Sequence, residues 1–490
     1  MTFPKICYEI FVRSFCDSNG DGIGDLNGIT SRLDYLQDLG IEAIWLTPIH
    51  PSPSYHKYDV TDYYRIDPEL GTLADFDRLL AEADRRGIAV YMDLVINHTS
   101  AQHPWFREAV KSPQNPFRQY YHWKSPEEIE ALGIATRETT PDTWEREPWH
   151  EAPHNSEKYY GLFWKGMPDL NFDHPPVRKA IYEIGHFWLQ RGVDGFRLDA
   201  ARHIYPEWEE YKNYDFWEEF RQEMQKVKPE VYLVGEVWTA AERIAPYFRG
   251  LIANFNFDLS LALQKIVAEE HDSVELVATL AKNRAIFAKT NPRFIDAIML
   301  TNHDQTRIGS VVKGHLHQLK VAANLLLTLP GQPYLYYGEE IGMLGKKPDE
   351  YIREPFLWKK GRHDRQRARW RKAKYSTSRT VVPLEQQIDD DFSLFNHYRR
   401  LIAFRKAHRA LYDVHGSVIP IVTDDRRLVM FERKSDDEKL IVVHNLSGDW
   451  ISFEPSTLAA TDIAFRTSAA VKWQGEILNL APYSCVVFNA

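Results

Sequence analysis

Two acidic residues each follow a hydrophobic run of the chain. Asp199 follows GFRL, which begins at Gly195, and Glu236 follows VYLVG, which begins at Val231. A carboxylate is expensive to bury without a partner, so each of these acids needs a contact or a role. Cleavage of a glycosidic bond uses two carboxyl groups, one that protonates the leaving oxygen and one that acts at the sugar carbon. Asp199 and Glu236 are the candidate pair for that chemistry.

The neighbours of the two acids predict different roles for them. Arg197 lies two residues before Asp199, on the same face of an extended strand, and is expected to keep Asp199 ionised and nucleophilic. Glu236 stands beside the apolar residues Val234 and Val237, and desolvation there favours the protonated acid. The pair therefore predicts a nucleophile and a general acid.

A third acid could assist this pair. Asp304 ends the run AIMLTNHD beside His303 and is a candidate for holding the sugar hydroxyls nearest the reacting carbon. Polar residues also end several other runs, at Asn97-His98, Asp199 and Glu236. Any one of them could merely cap the following helix, but together they indicate an active site.

Eight short apolar runs alternate with amphipathic stretches and predict a (β/α)₈ TIM barrel of the α/β class. The runs are ICYEIFVRSF, AIWLTPI, IAVYMDLVINH, GFRLDA, VYLVGEVW, FNFDL, AIMLTNHD and PYLYYGEE. We predict the barrel over residues 1–98 and 174–410. Residues 99–173, rich in Pro, Trp and charge, are expected to form an inserted B domain after strand 3. Short strands without helices over 411–490 predict a C-terminal antiparallel β-sandwich.

Composition limits the partners and the compartment. A net charge of −9 argues against nucleic-acid and membrane partners, which need a basic face. Three cysteines do not form a disulfide framework. The N-terminus MTFPKICYEIF has no signal-peptide pattern, which predicts a cytoplasmic protein, or a secreted one if the sequence is a trimmed mature form. The sequence leaves the oligomeric state open.

Six motifs in order along the whole chain resemble those of the α-amylase superfamily, glycoside hydrolase family 13. The motifs are DLVINH, MPDLN, GFRLDAARH, GEVW, TNHD and GQPYLYYGEE. The resemblance implies the barrel, the B domain and the C-terminal sandwich. It also implies Asp199 as nucleophile, Glu236 as acid/base and Asp304 as transition-state stabiliser. The sugar-binding positions that it implies are His98, Arg197 and His303, with Tyr58 stacking under the reacting glucose and His56 beside it.

The subfamily features point in two directions. Arg202-His203 matches a basic–His pair that contacts the leaving-group side in classical α-amylases, whereas MPDLN resembles a group intermediate between oligo-1,6-glucosidases and neopullulanases. The stretch IREPFLW resembles a segment of oligosaccharide-cleaving members, in which Arg353 would pair with Asp59 and close the pocket for chain-end cleavage. The alternative is that Arg353 is an ordinary loop residue. Lys57 replaces the glycine usual at its position, which affects the pocket wall.

A calcium site is expected near the N-terminus. The loop DSNGDGIGD places hard oxygen donors at alternate positions, with glycines that allow a tight turn. The alternative is a polar, glycine-rich loop, but the resemblance implies Ca²⁺ with a structural role. The ligands would be Asp17, Asn19, Asp21, Asp25 and the carbonyl of Ile23.

The sequence predicts a retaining hydrolase of α-1,4-glucosidic bonds in starch, maltodextrins or malto-oligosaccharides. An α-glucosidase or transglucosidase acting on short α-glucosides shares the same catalytic core. A non-catalytic sugar-binding relative is disfavoured, because all three acids are present and no membrane span is visible. The basic segment Lys359–Lys374 is interpreted as a solvated loop or a subunit contact rather than a polyanion site.

Overall fold

Seven of the eight apolar runs contain a short buried strand in the computed structural model, which describes residues 4–131, 147–152, 156–206, 209–361, 364–454 and 462–490. The run FNFDL supplies only Phe255, the last residue of its strand, before a helix begins at Phe257. In chain order the first eleven strands are β1 Cys7–Ile10, β2 Ala43–Leu46, β3 Ala89–Leu94, β4 Trp123–Lys124, β5 Trp149–Glu151, β6 Lys158–Tyr160, β7 Gly195–Leu198, β8 Tyr232–Gly235, β9 Ala253–Phe255, β10 Ile295–Met299 and β11 Gln332–Tyr336. Eight of them close a barrel in the order β1-β11-β10-β9-β8-β7-β3-β2. The predicted TIM barrel is confirmed.

The helices follow the barrel strands and the loops between them. They are α1 Val12–Phe15, α2 Leu26–Thr30, α3 Leu33–Leu39, α4 Leu73–Asp84, α5 Pro104–Ala109, α6 Pro126–Ala131, α7 Pro175–Gln190, α8 Tyr211–Gln225, α9 Ala241–Ile244, α10 Phe257–Glu269, α11 Leu276–Thr290, α12 Ile308–Val311, α13 Leu316–Thr328, α14 Asp349–Ile352, α15 Leu384–Gln387, α16 Leu394–Ala407 and α17 Arg409–Tyr412. In the described part of the chain, none of these helices combines the length and the hydropathy that crossing a bilayer requires.

The chain divides into two compact units, each described separately below. Unit 1 comprises Trp45–Asp84 and Ala89–Asn254, and it contains β3, β7 and β8. Unit 2 comprises residues 4–44, 85–88 and 255–490, and it contains β1, β10 and β11.

Strand register in unit 1 aligns the carboxyl ends of three parallel strands. Leu94 of β3 is paired with Leu198 of β7, and Leu198 is paired in turn with Gly235 of β8. The residues that follow β7 and β8 therefore emerge side by side. A side chain at Gly235 would meet Leu251 and Asn254 at 2.4 and 2.6 Å, which explains the glycine before Glu236.

The expected insertion after β3 contains a small antiparallel sheet of order β4-β6-β5. Its core is apolar and aromatic, built from Ile129, Trp149, Tyr160 and Leu162, with the partly buried Phe163 packed against it. The inserted domain is thus a separate small cluster of side chains rather than an extension of the barrel core. The exact domain boundaries stay predictions.

The C-terminal region forms two antiparallel sheets. The strands are β12 Ser417–Pro420, β13 Leu428–Lys434, β14 Lys439–Asn445, β15 Ile451–Phe453, β16 Ile463–Arg466, β17 Lys472–Gln474, β18 Ile477–Leu480 and β19 Cys485–Asn489. One sheet has the order β12-β13-β14-β19-β16 and the other β15-β18-β17. Their apolar faces share a core that includes Met430, Val443, Leu478 and Leu480, so the predicted sandwich fold is present.

Little local sequence signal marks three of these strands, β16, β17 and β18. β16 and β17 are half-buried or exposed along their whole length and so lack the alternation that marks a strand, and β18 is only four residues long. α2 and α3 are separate helices, and α3 ends at Gly40, which has a left-handed φ of 96°. α13 is buried along most of its length, as its apolar composition predicts.

Candidate active site

The centre of the site in unit 1 is the guanidinium of Arg197, a buried residue of β7. Its Nη1 lies 2.7 Å from Asp199 Oδ1 and 2.9 Å from Asp93 Oδ1, and its Nη2 lies 2.6 Å from Glu236 Oε2. Burial opposes the charged form, but the attraction of Asp93 and Glu236 outweighs it and raises the pKa of Arg197 well above its usual value. One permanent cation therefore brings both candidate catalytic acids to one place.

The surroundings of Glu236 differ from the sequence-based expectation in one respect. Beyond its apolar neighbours, the carboxylate contacts Arg197 and accepts a hydrogen bond from the backbone N–H of Ala200 at 3.3 Å. Ala200 has a left-handed φ of 47° immediately after Asp199, a conformation that points its N–H toward the acid. The side chains of Asp199 and Glu236 remain 11% and 17% exposed, so neither carboxylate is fully buried.

Asp93 was given no role by the sequence analysis, although it opens the motif DLVINH. It is fully buried in β3 and accepts hydrogen bonds from Tyr58 Oη at 2.9 Å and Trp45 Nε1 at 3.2 Å. With Arg197 it completes a buried network that fixes the guanidinium and the ring of Tyr58. An acid inside an otherwise apolar run was the available signal in the sequence.

The loop after β2 carries three of the predicted sugar-binding residues close together. The ring of His56 lies 6.0 Å from that of Tyr58, and His56 Nδ1 accepts the backbone N–H of Tyr58 at 3.1 Å. Asp59 accepts hydrogen bonds from the hydroxyls of Ser52 and Ser54. The proposed pairing of Asp59 with Arg353 stays a prediction.

Lys57 lies within this loop and is itself buried. It has a left-handed φ of 68°, the conformation for which glycine is usual. Its Nζ lies 2.7 Å from Asp67 Oδ2 and 2.8 Å from Glu69 Oε2. These ion pairs hold the backbone between His56 and Tyr58 in a left-handed conformation, which a glycine would adopt without strain.

His98 and His203 lie in the same network. His98 is buried, and its ring nitrogens lie 3.0 Å from Asn97 Oδ1 and 3.0 Å from the carbonyl of Tyr58. Burial lowers the pKa of His98, although the negative charge of Asp199 acts in the opposite direction. The Asn97 amide donates to the carbonyl of His203, which ties the ends of two barrel strands together.

Arg202 and Phe163 complete the described surroundings of this group. Arg202 Nε lies 3.5 Å from Glu210 Oε1, so its charge has a protein partner. The ring of Phe163 lies 5.3 Å from that of His98 and 5.9 Å from that of His203. Phe163 belongs to the insertion and had no signal in the sequence beyond its position in an aromatic stretch.

Unit 2 contains the third predicted acid and its partners. Asp304 Oδ1 lies 2.6 Å from Arg353 Nη2, and Asp304 Oδ2 lies 3.0 Å from His303 Nε2. The other ring nitrogen of His303 lies 2.6 Å from Glu9 Oε1, and Arg353 also lies 3.6 Å from Asp349. Arg353 is therefore a buried ion-pair partner of Asp304.

His303 is held in its charged form. Burial alone would lower its pKa, but Asp304 and Glu9 raise it to about 10. The imidazolium therefore donates to a carboxylate on each side at neutral pH. Glu9 was not singled out from the sequence, because it lies in β1 almost 300 residues before its partner.

The loop predicted to bind calcium is closed by hydrogen bonds from its own backbone to its acidic side chains. Asp17 accepts the backbone N–H groups of Gly20 and Gly22, and Asp25 caps α2 through the N–H of Gly28. The donors are all oxygens, as Ca²⁺ requires, and Gly20 and Gly22 have the positive φ that the tight loop needs. No group of three acidic, His or Cys side chains converges within the described ranges, so any ion there needs the Asn19 amide and the Ile23 carbonyl as well.

The basic segment Lys359–Lys374 packs against this loop over its described part. The backbone N–H groups of Arg369 and Trp370 both donate to the carbonyl of Gly22, and Trp370 Nε1 donates to Ser14 Oγ at 2.8 Å. Arg371 stacks over the ring of Tyr351 at 4.4 Å. These contacts pack the described part of the segment against the N-terminal loop and against Tyr351.

The chain matches two family models, the α-amylase catalytic domain over residues 9–414 and the C-terminal domain of the α-amylase SusG over residues 428–487. It is 43% identical to α-amylase 3 of Dictyoglomus thermophilum over 485 residues, 98% of this chain and 92% of the relative. It is 34% identical to an oligo-1,6-glucosidase of Parageobacillus thermoglucosidasius, covering 90% of each chain. A crystal structure of an α-amylase from H. orenii superimposes with a TM-score of 0.90 at 41% identity, covering 99% of each chain. The barrel, the paired acids and these matches together show that the chain belongs to the α-amylase family of glycoside hydrolases, family 13.

Proposed function

We propose that the protein hydrolyses α-1,4-glucosidic bonds in starch, maltodextrins or malto-oligosaccharides with retention of configuration. The observation that carries this proposal is the bridge that Arg197 forms between Asp199 and Glu236 at adjacent strand ends. Retention needs two carboxyl groups roughly 5 Å apart, one beneath the sugar carbon and one beside the leaving oxygen. A bridge through one guanidinium holds two carboxylates at a separation of that order.

In this proposal Asp199 attacks the anomeric carbon and Glu236 protonates the departing oxygen. The attack forms a bond from the Asp199 oxygen to the sugar carbon and breaks the glycosidic bond, whose electrons and the Glu236 proton leave with the chain. Glu236 then takes a proton from water, which attacks the same carbon and releases Asp199. Arg197 holds the carboxylate of Asp199 in place through their ion pair. Asp304 receives the sugar hydroxyls, with His303 and Arg353 fixing its orientation.

Conservative variants of the two acids test the proposal. We expect Asp199→Asn to lose roughly 10⁴-fold in kcat on maltotetraose, because the amide neither attacks nor leaves, while the melting temperature changes little. Asp215→Asn, a change of the same type at an exposed residue, is the control and should retain activity. Wild-type turnover in Asp199→Asn would refute the assignment.

The acid role of Glu236 has a separate test. We expect Glu236→Gln to lose far less activity on a substrate with an activated leaving group than on maltotetraose, because such a group departs without protonation. Equal losses on both substrates would contradict the assignment of Glu236 as the acid.

A second function, α-glucosidase or transglucosidase activity on short α-glucosides, is favoured by the similarity to an oligo-1,6-glucosidase. A glucosyl-enzyme reacts with an acceptor sugar as readily as with water if the acceptor binds well. Chromatography of the products from maltose, maltotriose, starch, pullulan and sucrose separates the two. Glucose alone at the earliest times indicates chain-end attack, and products longer than the substrate indicate transfer.

We also propose that the loop from Asp17 to Asp25 binds Ca²⁺ as a structural ion. Asp17, Asn19, Asp21, Asp25 and the carbonyl of Ile23 would supply the oxygens, and the ion would offset the mutual repulsion of the three acids. The cleavage steps above use carboxylates and need no Lewis acid, so the expected role is stability.

A further inference from the structure

A buried acid in the first barrel strand has a charged partner far along the chain. Glu9 lies in β1, and its Oε1 lies 2.6 Å from Nδ1 of His303. The two side chains are 2% and 1% exposed, respectively. A carboxylate buried to that degree is costly unless a cation or a hydrogen-bond donor faces it. His303 therefore offsets the cost of burying Glu9.

The alternation of β1 separates Glu9 from the other buried acid at this strand. Successive side chains of a strand point to opposite faces. Tyr8 donates through its hydroxyl to Glu340 Oε1 at 2.8 Å, whereas the next residue, Glu9, contacts His303. The backbone of Glu9 is paired in register with Tyr336 of β11. The carboxylate of Glu9 is thus presented to His303 from a strand that is fixed on the barrel.

The two contacts of the His303 ring determine its protonation state. Nδ1 faces Glu9 at 2.6 Å, and Nε2 faces Asp304 Oδ2 at 3.0 Å. An ionised carboxylate only accepts hydrogen bonds, and a neutral imidazole has one N–H. A neutral His303 would donate to one acid and turn a lone pair toward the other, whereas the imidazolium donates to both. Burial lowers the pKa of His303, but the charges of Asp304 and Glu9 raise it to about 10, in agreement with this geometry.

The Asp304 carboxylate is held by one cation at each oxygen. His303 contacts Oδ2, and Arg353 Nη2 lies 2.6 Å from Oδ1. Arg353 also donates through Nε to the carbonyl of His303 at 3.0 Å and lies 3.6 Å from Asp349. The charges therefore alternate in sign from Glu9 through His303, Asp304 and Arg353 to Asp349.

Two further titratable groups lie near Glu9. Burial raises the pKa of Glu339 well above its ordinary value and does the same for Tyr336, and the negative charge of Glu9 adds to both shifts. Both groups are therefore uncharged at neutral pH. The negative charge that His303 meets from β1 is that of Glu9.

We propose that Glu9 is a positioning residue for Asp304, which acts by keeping His303 cationic so that the imidazolium and Arg353 together fix both oxygens of the Asp304 carboxylate. This inference rests on the proposed function, in which that carboxylate receives the hydroxyls of the reacting sugar. A charge-assisted hydrogen bond is stronger than a neutral one, so a neutral His303 would hold Asp304 less firmly in the orientation that cleavage needs. Glu9 acts through His303 and is not itself a catalytic group.

The test is the pH dependence of kcat on saturating maltotetraose for Glu9→Gln, which keeps the shape of the side chain and removes its charge. His303 then faces one carboxylate instead of two, so its pKa falls below the wild-type value. Both enzymes have a cationic His303 at low pH, and they differ as pH rises. We expect the ratio of variant to wild-type kcat to fall about fivefold between about pH 6 and about pH 9, with little change in KM.

The ratio isolates His303 because the titration of the catalytic acids is common to both enzymes and cancels. A residue with a merely structural role would lower kcat by the same factor at every pH. A ratio that is independent of pH, or a loss confined to KM, therefore refutes the proposal.

Two matched variants serve as controls. Glu9→Asp keeps the charge on a shorter side chain, so its kcat should be below that of wild type by a factor that does not change with pH. A ratio that falls as steeply as that of Glu9→Gln would refute the role of the charge. Glu340→Gln neutralises the buried acid that Tyr8 contacts and should keep the wild-type pH profile. The same fall in Glu340→Gln would make the effect a general response to lost charge and would also contradict the proposal.

A double variant keeps the proposal testable if Glu9→Gln alone does not fold. Replacing both members of the buried pair leaves neither with an uncompensated charge. If Glu9 acts through His303, the variant Glu9→Gln, His303→Gln should match the kcat of His303→Gln within about threefold, and a larger further loss refutes the proposal.

Failure of this inference is distinguishable from failure of the proposed function. A pH-independent ratio for Glu9→Gln, found together with an active wild type and an inactive Asp199→Asn, refutes only the role of Glu9. Wild-type turnover in Asp199→Asn refutes the proposed function instead.

Discussion

Lys57 offers the most informative single perturbation outside the catalytic acids, because it combines a buried ion pair with a left-handed backbone. Its side chain is 6% exposed and its partner Asp67 is 7% exposed, whereas Glu69 is 43% exposed and contributes little. Removing one member of a buried pair costs about 3–5 kcal/mol, since the other charge is left without a partner. A left-handed φ costs a non-glycine residue about 1–2 kcal/mol more.

These two terms predict an order among variants. Lys57→Ala loses the ion pair and keeps the strained backbone, so the free energy of unfolding should fall by about 4 kcal/mol and the melting temperature by roughly 8 °C. Lys57→Gly loses the ion pair but relieves the strain, and should be about 1 kcal/mol more stable than Lys57→Ala. The double variant Lys57→Met, Asp67→Asn leaves neither buried member of the pair with an uncompensated charge, so part of the loss should be recovered.

The assay combines calorimetry with steady-state kinetics. Because Lys57 stands between His56 and Tyr58, the variants should raise KM for malto-oligosaccharides more than they lower kcat. The expected order of melting temperatures is wild type, then Lys57→Gly, then Lys57→Ala. If Lys57→Gly were as stable as wild type, or less stable than Lys57→Ala, the account of this loop would be wrong.

The remaining predictions concern Arg197, His303 and the proposed calcium loop from Asp17 to Asp25. Arg197→Lys should lower kcat about 100-fold with little unfolding, because a point charge does not bridge two carboxylates as a guanidinium does; kinetics on maltotetraose checks this. The raised pKa of His303 stabilises the fold fully below about pH 6.5, and this contribution is lost as pH rises toward 10; urea midpoints should fall more between pH 7 and 9.5 for wild type than for His303→Gln. Chelation should lower the melting temperature of wild type but not of Asp21→Ala, and elemental analysis without calcium would exclude the ion.

The sequence by itself determined the architecture and the three acids. Alternating apolar runs and amphipathic helices encode a barrel, because each strand must be buried on both faces and each helix on one. Polar residues at the ends of buried strands, such as Asp199 and Glu236, are costly enough to indicate chemistry. These features can be predicted from the sequence because each depends on residues only a few positions away.

Only the tertiary structure decided which groups meet. Asp93 became a partner of Arg197 through the register of two strands, and Glu9 became a partner of His303 through a separation of 294 residues. The ion pair that anchors Lys57 likewise joins residues that only the folded loop brings together. Contacts of this kind have no local signal, because the distances that create them are set by the closure of the barrel and the folding of the insertion.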